Sequence, residues 1–542
     1  MRLGIDFGTT RIAVAAADRG NYPVVSFECP DGETRDWFPP LVAVRGSEIC
    51  YGWAAHMSQT GDGWTVVRSL KRLLGRTGLN TPVQIGDRLI HMNRLLGGLT
   101  STLRDELRER SNLRLDRGEP LEVMLGVPAN SNSNQRFLTA EAFRLAGFSV
   151  IGVLNEPSAA SIEFGHKQRL SDQVRERGCV LVYDLGGGTF DASLVEMDEQ
   201  THSVLASDGI ETLGGDDFDE ILAELVFERA GLSEADRDSL RQDELFRLHE
   251  ECRLKKESIH PNSRRIAVDL DSVRAGWGEV AVPAAEFYEA CRPLVQETMN
   301  TVENLLASHG LGTNDPRPAV EQYRLEAVYV TGGGSELPLV ARELRERFDR
   351  RVRRSQHARS ATAIGLAIQA DVQSGYTLRD RFTRYFGVWR EAQGGSTVWF
   401  DPLFQKGELL PGPGEWALEV NRRYSPVHNI GHFRYLECSR IGESGEPAGD
   451  ITLWDEIRFP FDPVLEQRRD LDSVPVEHTE AARNQSIEEV YTCDAGGALG
   501  VTIANLSADY KRTYRLARWA AREAPVKPAR RRPATRRIVS RS

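Results

Sequence analysis

The sequence predicts an α/β protein followed by a smaller all-β domain, and three observations carry that prediction. Over residues 1–372, short β-branched runs alternate with helical segments, the signature of a layered α/β fold. From about residue 381 the texture changes to Trp, Tyr, Phe and Val between Gly and Pro turns, the pattern of antiparallel strands. The chain has 542 residues, more than one core usually fills, so two or three domains are expected.

In order along the chain, strands are expected at Leu3 to Asp6, Ile12 to Ala16, Leu121 to Val127, Val180 to Asp184, Ala192 to Glu196 and Leu325 to Thr331. Helices are expected at Leu95 to Arg110, Ser133 to Ala146, Ser158 to Phe164, Asp217 to Arg229, Ala284 to Ala307 and Leu337 to Phe348. Residues 373–380, within DVQSGYTLRD, read as a linker, and 381–520 as the β domain. Residues 521–542 collapse to Pro, Ala and Arg and read as a disordered basic tail.

The composition is 40% apolar and 27% charged, which is globular. The formal net charge is −11, and the seven uncompensated cations of residues 526–542 leave the preceding chain at −18. An acidic body argues against a nucleic-acid-binding surface on the fold itself. Only the tail could attract nucleic acid or an acidic membrane, the alternative being a solvated end. The seven cysteines lie far apart with no CxxC pair, as in a reduced cytoplasmic chain. No run of about 18 apolar residues is present, so no membrane association is expected.

Two hairpins carry the chemistry. The first contains Asp6-Phe7-Gly8-Thr9-Thr10: an acid closing a buried strand, then Gly and two hydroxyl residues in a tight turn. Such a turn can aim backbone N–H groups at phosphate oxygens, while the carboxylate faces a hydrated Mg²⁺. Alone, it also occurs as plain hairpin punctuation. The second, Asp184-Leu185-Gly186-Gly187-Gly188-Thr189-Phe190-Asp191, repeats the recipe with a Gly triplet whose folding entropy cost argues for a use. Between them, Asn155-Glu156-Pro157-Ser158 sits at a strand-to-helix turn, where Glu156 is either a first-turn acid or a carboxylate reaching the cleft.

GIDFGTT, NEPSAA, DLGGGTFD, GGDDFD, TGGGSELP and ATAIGLAIQA, in this order over residues 3 to 370, resemble the DnaK-type heat-shock chaperones of the actin-like ATPase superfamily. The resemblance implies a two-lobed actin-like ATPase domain with ATP or ADP and Mg²⁺ between the lobes. It implies that Asp6 and Asp184 hold Mg²⁺ through waters. Gly8, Thr9 and Thr10, and Gly186, Gly187 and Gly188, are then the two phosphate turns, with Gly214 and Gly215 beside them. Lys71, Glu156, Asp184 and Thr189 become the catalytic group; otherwise Lys71 would be an ordinary surface lysine on a helix. Pro128 and Arg136 match a relay toward the second domain.

On the nucleoside side, Lys256, Gly333 and Gly334 match the family, whereas Arg253 stands for an acid, His260 for a serine and Glu336 for an arginine. The stretch from Arg381 weakly resembles the family's sandwich-like peptide-binding domain, which implies a protein or peptide client; a generic β domain is the alternative. Three departures stand out. The linker carries a single Leu beside an Arg, so its docking is expected to be weaker or different. Gly152 replaces an arginine implicated in J-domain contact, and a short form without the family's helical lid is expected. The expected function is a slowly hydrolysing, chaperone-like ATPase that couples nucleotide state to client binding, with a cochaperone or exchange factor possible. A nucleotide-dependent scaffold and a small-molecule kinase of the same superfamily are the alternatives.

Overall fold

The computed structural model describes residues 1–516 apart from 62, 171–177, 312–324, 393–396, 413–414 and 495–496. The expected basic tail and the last residues of the expected β domain lie outside the described residues. Two lobes, each built on a sheet, form the first part of the chain. In the first lobe, β1 (Arg2–Phe7) and β2 (Ile12–Ala16) make an antiparallel hairpin, and helix α1 (Met92–Glu109) leads to β3 (Glu122–Val127), which pairs parallel with β1. Helix α2 (Ser133–Leu145) starts at a reciprocal cap in which Asn132 and Gln135 satisfy each other's backbone N–H groups. It returns the chain to β4 (Ser149–Asn155), giving the order β4-β3-β1-β2.

The second lobe repeats the plan. After helix α3 (Glu156–Leu170), the hairpin β5 (Gly178–Leu185) and β6 (Phe190–Asp198) is extended by β7 (Thr201–Ile210). Strand β5 reads GCVLVYDL, a nearly unbroken apolar run, because helices cover both faces of this sheet. Helices α4 (Gly215–Ala230), α5 (Gln242–Glu257) and α6 (Ala284–Ala307) precede β8 (Leu325–Thr331), which lies parallel to β5 as β3 lies parallel to β1. Helix α7 (Pro338–Phe348) and β9 (Val352–Arg354) complete that edge. Each predicted strand and helix of this part is present, with ends shifted by a few residues.

The lobes meet where α8 (Ala361–Ala370) crosses α3. Small residues allow the approach: a Cβ on Gly365 would stand 1.8 Å from the Ala159 carbonyl oxygen, and one on Gly4 would stand 2.2 Å from the Ala363 oxygen. Past α8, the expected linker contains a strand, β10 (Thr377–Arg379), paired parallel with β7 at the edge of the second lobe's sheet, which then has the order β9-β8-β5-β6-β7-β10. The linker is therefore docked. Strand addition needs main-chain hydrogen bonds rather than an apolar run, so one buried Leu378 suffices. Asp380, also buried, accepts from the Asn155 side-chain amide at 2.8 Å, and Arg136 donates to Asn155 Oδ1 at 2.6 Å.

The β domain is a sandwich of two antiparallel sheets. One contains β11 (Tyr385–Ala392), β12 (Thr397–Phe404), β14 (Ile430–Ile441) and β15 (Pro447–Pro460); the other contains β13 (Leu418–Tyr424), β16 (Ile487–Cys493), β17 (Leu499–Asn505) and β18 (Tyr510–Leu516). Inward residues alternate with outward ones, and Phe386, Tyr435 and Phe459 of one sheet pack with Tyr491, Val501 and Ile503 of the other. An ionic cluster lies within this sandwich: Arg390 pairs with Glu489, which is fully buried, and with Asp401, each at 2.7 Å.

Candidate functional site

A cleft of about 820 Å³, including its open mouth, lies between the lobes. Its walls are the turns of the two hairpins. They face each other so closely that a Cβ on Gly187 would stand 2.0 Å from Thr10 Oγ1 and 2.9 Å from Thr9 Oγ1. A third turn, at Gly214, fits against the second: a Cβ there would come within 2.6 Å of the Gly187 backbone. Gly332, at φ +81°, and Gly334 lie under Leu185 and Gly186. Glycine backbone lines this cradle beside the Thr9, Thr10 and Thr189 hydroxyls, an arrangement of the kind that receives an anionic polyphosphate.

Deeper in the cleft, Lys71 Nζ lies 2.5 Å from Glu156 Oε1, and both are buried. Lys71 belongs to a single 3₁₀ turn, Lys71–Leu73, and is not the surface lysine its local sequence also allows. Asp6 is next to last in β1 and Asp184 next to last in β5, at equivalent places in the repeated hairpins. Burial, then Glu156, pushes Asp6 well above the usual carboxylate range, with Asp184 adding to the rise and Lys71 opposing it. The same burial, with Glu156 and Asp191 nearby, pushes Asp184 up to about 8. Asp191, which sequence reasoning did not single out although it ends the DLGGGTFD motif, is pushed up to about 7 by burial and Glu156. Burial disfavours charge on Lys71, but Glu156 and Asp6 outweigh it and raise the lysine's pKa.

Four acids thus share one buried lysine, an excess of carboxyl groups that stay partly protonated until a cation such as a divalent metal ion favours their charged forms. Among the described residues no group of three or more His, Cys, Asp or Glu side chains is placed to hold a metal directly. The donor set fits a hydrated ion touching few carboxylates, as Mg²⁺ prefers.

Toward the mouth, the wall that would meet a nucleoside is heavily charged. Lys256 Nζ contacts the Gly215 carbonyl and Asp219 Oδ1, at 2.5 and 2.7 Å, and so braces the cleft floor. Arg253 pairs with Glu250 and Glu257. Glu336 pairs with Arg359 and Arg354, and Gly333 lies beside Arg359. Glu257 joins Arg359 at 3.0 Å and reaches across to Arg11 of the first lobe at 2.5 Å. Two further ion pairs bridge the lobes, Arg68 with Glu250 at 2.8 Å and Arg72 with Asp216 at 2.9 Å. These pairings had no local signal, since Arg11 and Glu257 are 246 positions apart.

A family model described as Hsp70 protein matches residues 101–383. The chain belongs to the Hsp70 family. Among relatives, chaperone protein HscA of Xenorhabdus nematophila is 32% identical over 390 residues, covering 69% of this chain and 58% of that protein. The HscA of Klebsiella pneumoniae is 31% identical over 386 residues, with the same coverage. The HscA homolog of Pseudomonas aeruginosa is 32% identical over 393 residues, again covering 69% and 58%. The chain therefore spans under two thirds of the length of these Hsp70-type relatives. No described helix is long and apolar enough to cross a membrane.

Proposed function

We propose that this Hsp70-family protein binds ATP with Mg²⁺, hydrolyses it slowly, and uses the nucleotide state to modulate binding of a protein or peptide client by the β domain. The observation that carries this reading is the convergence of Asp6, Asp184, Lys71 and Glu156 between two facing glycine turns. The similarity to proteins named as chaperones supports the client half of the reading. Cytoplasmic placement belongs to the same proposal.

Little covalent work is required of the protein in phosphoryl transfer; positioning and neutralisation dominate. Held near Asp6 and Asp184, Mg²⁺ would supply neutralisation of phosphate charge. Thr9, Thr10 and the N–H groups around Gly8 and Gly186 to Gly188 bind and orient the triphosphate. Lys71 presents its ammonium at the terminal phosphate, and Glu156, Asp184 and Thr189 orient the attacking water. Glu156, the acid nearest the attacking water in this reading, is held by Lys71 and so is less free to take up a proton, and that supports a slow rate. The same ion pair favours a second reading, a nucleotide-dependent scaffold in which little hydrolysis occurs.

Single-turnover hydrolysis by the wild type, Lys71→Ala and Thr189→Ala separates the two. The expected result is cleavage by the wild type and a loss of about a hundredfold or more in each variant. Equal cleavage by all three removes the assigned roles, and none by the wild type leaves the scaffold.

A further inference from the structure

A second cavity opens from the inner end of the cleft, about 1300 Å³ including its mouth. It shares Thr9, Lys71 and Thr189 with the cleft, so the two spaces meet where the terminal phosphate of a triphosphate would be cleaved. From there it runs away from the nucleoside side, bounded by both lobes and the β domain, with Asp191 and Glu211 of the second lobe also on its wall. Arg72 and Arg76 stand along it as cations. Ser131, 5% exposed, also lines it, and its hydroxyl has no hydrogen-bond partner among the described residues. Two guanidinium groups and a free buried hydroxyl are groups that a small tetrahedral oxyanion can use in passing.

The far wall belongs to another domain. Asp450, Ile451 and Thr452, on β15, close the cavity. Asn132 donates to Thr452 Oγ1 at 3.4 Å, and Arg384 holds Asp450 at 2.7 Å while lying 3.9 Å from Glu211 of the second lobe. The β domain thus covers an opening whose inner end is the reaction site, and it places a carboxylate there.

We propose that this cavity is the exit route for inorganic phosphate and that the docked β domain gates it. This rests on the hydrolysis proposed above: water adds to the terminal phosphorus, the bond to the bridging oxygen breaks, and the diphosphate blocks the way back through the cleft. Phosphate then passes Arg72, Ser131 and Arg76 and leaves once the β15 edge has moved off. Product release and movement of the β domain are one event.

The test follows cleaved ATP by acid quench and free phosphate by a fluorescent phosphate sensor, in single turnovers of the full chain with ATP and Mg²⁺. In the wild type, free phosphate should lag cleavage. Arg76→Glu reverses an exposed charge at the mouth, and Ile451→Trp fills the opening from the β-domain side. Both should slow phosphate release about tenfold while leaving acid-quench cleavage within about twofold. Asp450→Ala removes the carboxylate and its pairing with Arg384, leaving only the bond from Arg384 to the backbone carbonyl, and should shorten the lag. Free phosphate appearing in step with cleavage in the wild type and all three variants overturns the route while leaving the ATPase reading intact. Absence of acid-quench product in the wild type overturns both.

Discussion

Asp184 shows most directly how single side chains set the behaviour of the site. Its pKa rises from the ordinary 3.8 to about 8, because burial and the neighbouring Glu156 and Asp191 disfavour its charge. Between about pH 4 and 8 the folded state therefore keeps a proton that the unfolded chain has already released, and stability falls as pH rises through that window. The melting temperature of the nucleotide-free, metal-free protein is expected to fall between pH 6 and 8, and Asp184→Asn should flatten that slope. A slope unchanged by the substitution would contradict the assignment. Binding of Mg²⁺ with nucleotide near pH 7 should release protons, because a cation reverses the preference for the neutral acids. Calorimetry in buffers of different ionisation enthalpy reads that release directly.

At the scale of elements, the contact between α3 and α8 is the tightest constraint. Gly365→Ala places a methyl 1.8 Å from a backbone oxygen, so the helices must separate. A loss of about 1–3 kcal/mol in denaturant unfolding is expected, and weaker nucleotide binding with it, since Glu156 begins α3 and Thr362 lines the cleft. An unchanged unfolding midpoint would show that the helices can separate without cost. Strands and helices of this part were legible in the sequence because each carries its own apolar periodicity. Six motifs were legible for a related reason: a phosphate turn is built from adjacent residues, so its chemistry is local. The Arg11–Glu257–Arg359 pairing, by contrast, joins segments 246 and 102 positions apart, and only the fold brings them together. Asp191 stood inside a quoted motif, yet its place in the acid cluster depends on which way β6 faces.

For the whole molecule, the docking of β10 decides the shape. The sequence suggested weaker or different docking from a single Leu and an Arg, because side-chain hydrophobicity is readable along a chain and main-chain strand pairing is not. Leu378→Asp puts a charge on a buried edge position and should release the strand. Small-angle scattering of the full chain is expected to give a larger radius of gyration for this variant than for the wild type, with far-ultraviolet dichroism little changed. An equal radius would mean that contacts such as Arg381 Nε to the Val204 carbonyl, at 2.6 Å, hold the domains without the linker strand.

The crossing of α3 and α8 also has a mechanical meaning. Backbone meets backbone there through small residues, so the contact can pivot but cannot compress. Glu156 sits at one end of the pair and Asp371, where the chain leaves for the docked strand, at the other. On the proposed function the crossing would serve as a fulcrum and α8 as an arm: a slight tilt set by whatever fills the cleft would be delivered as travel at the far end, where β10 and the sandwich are attached.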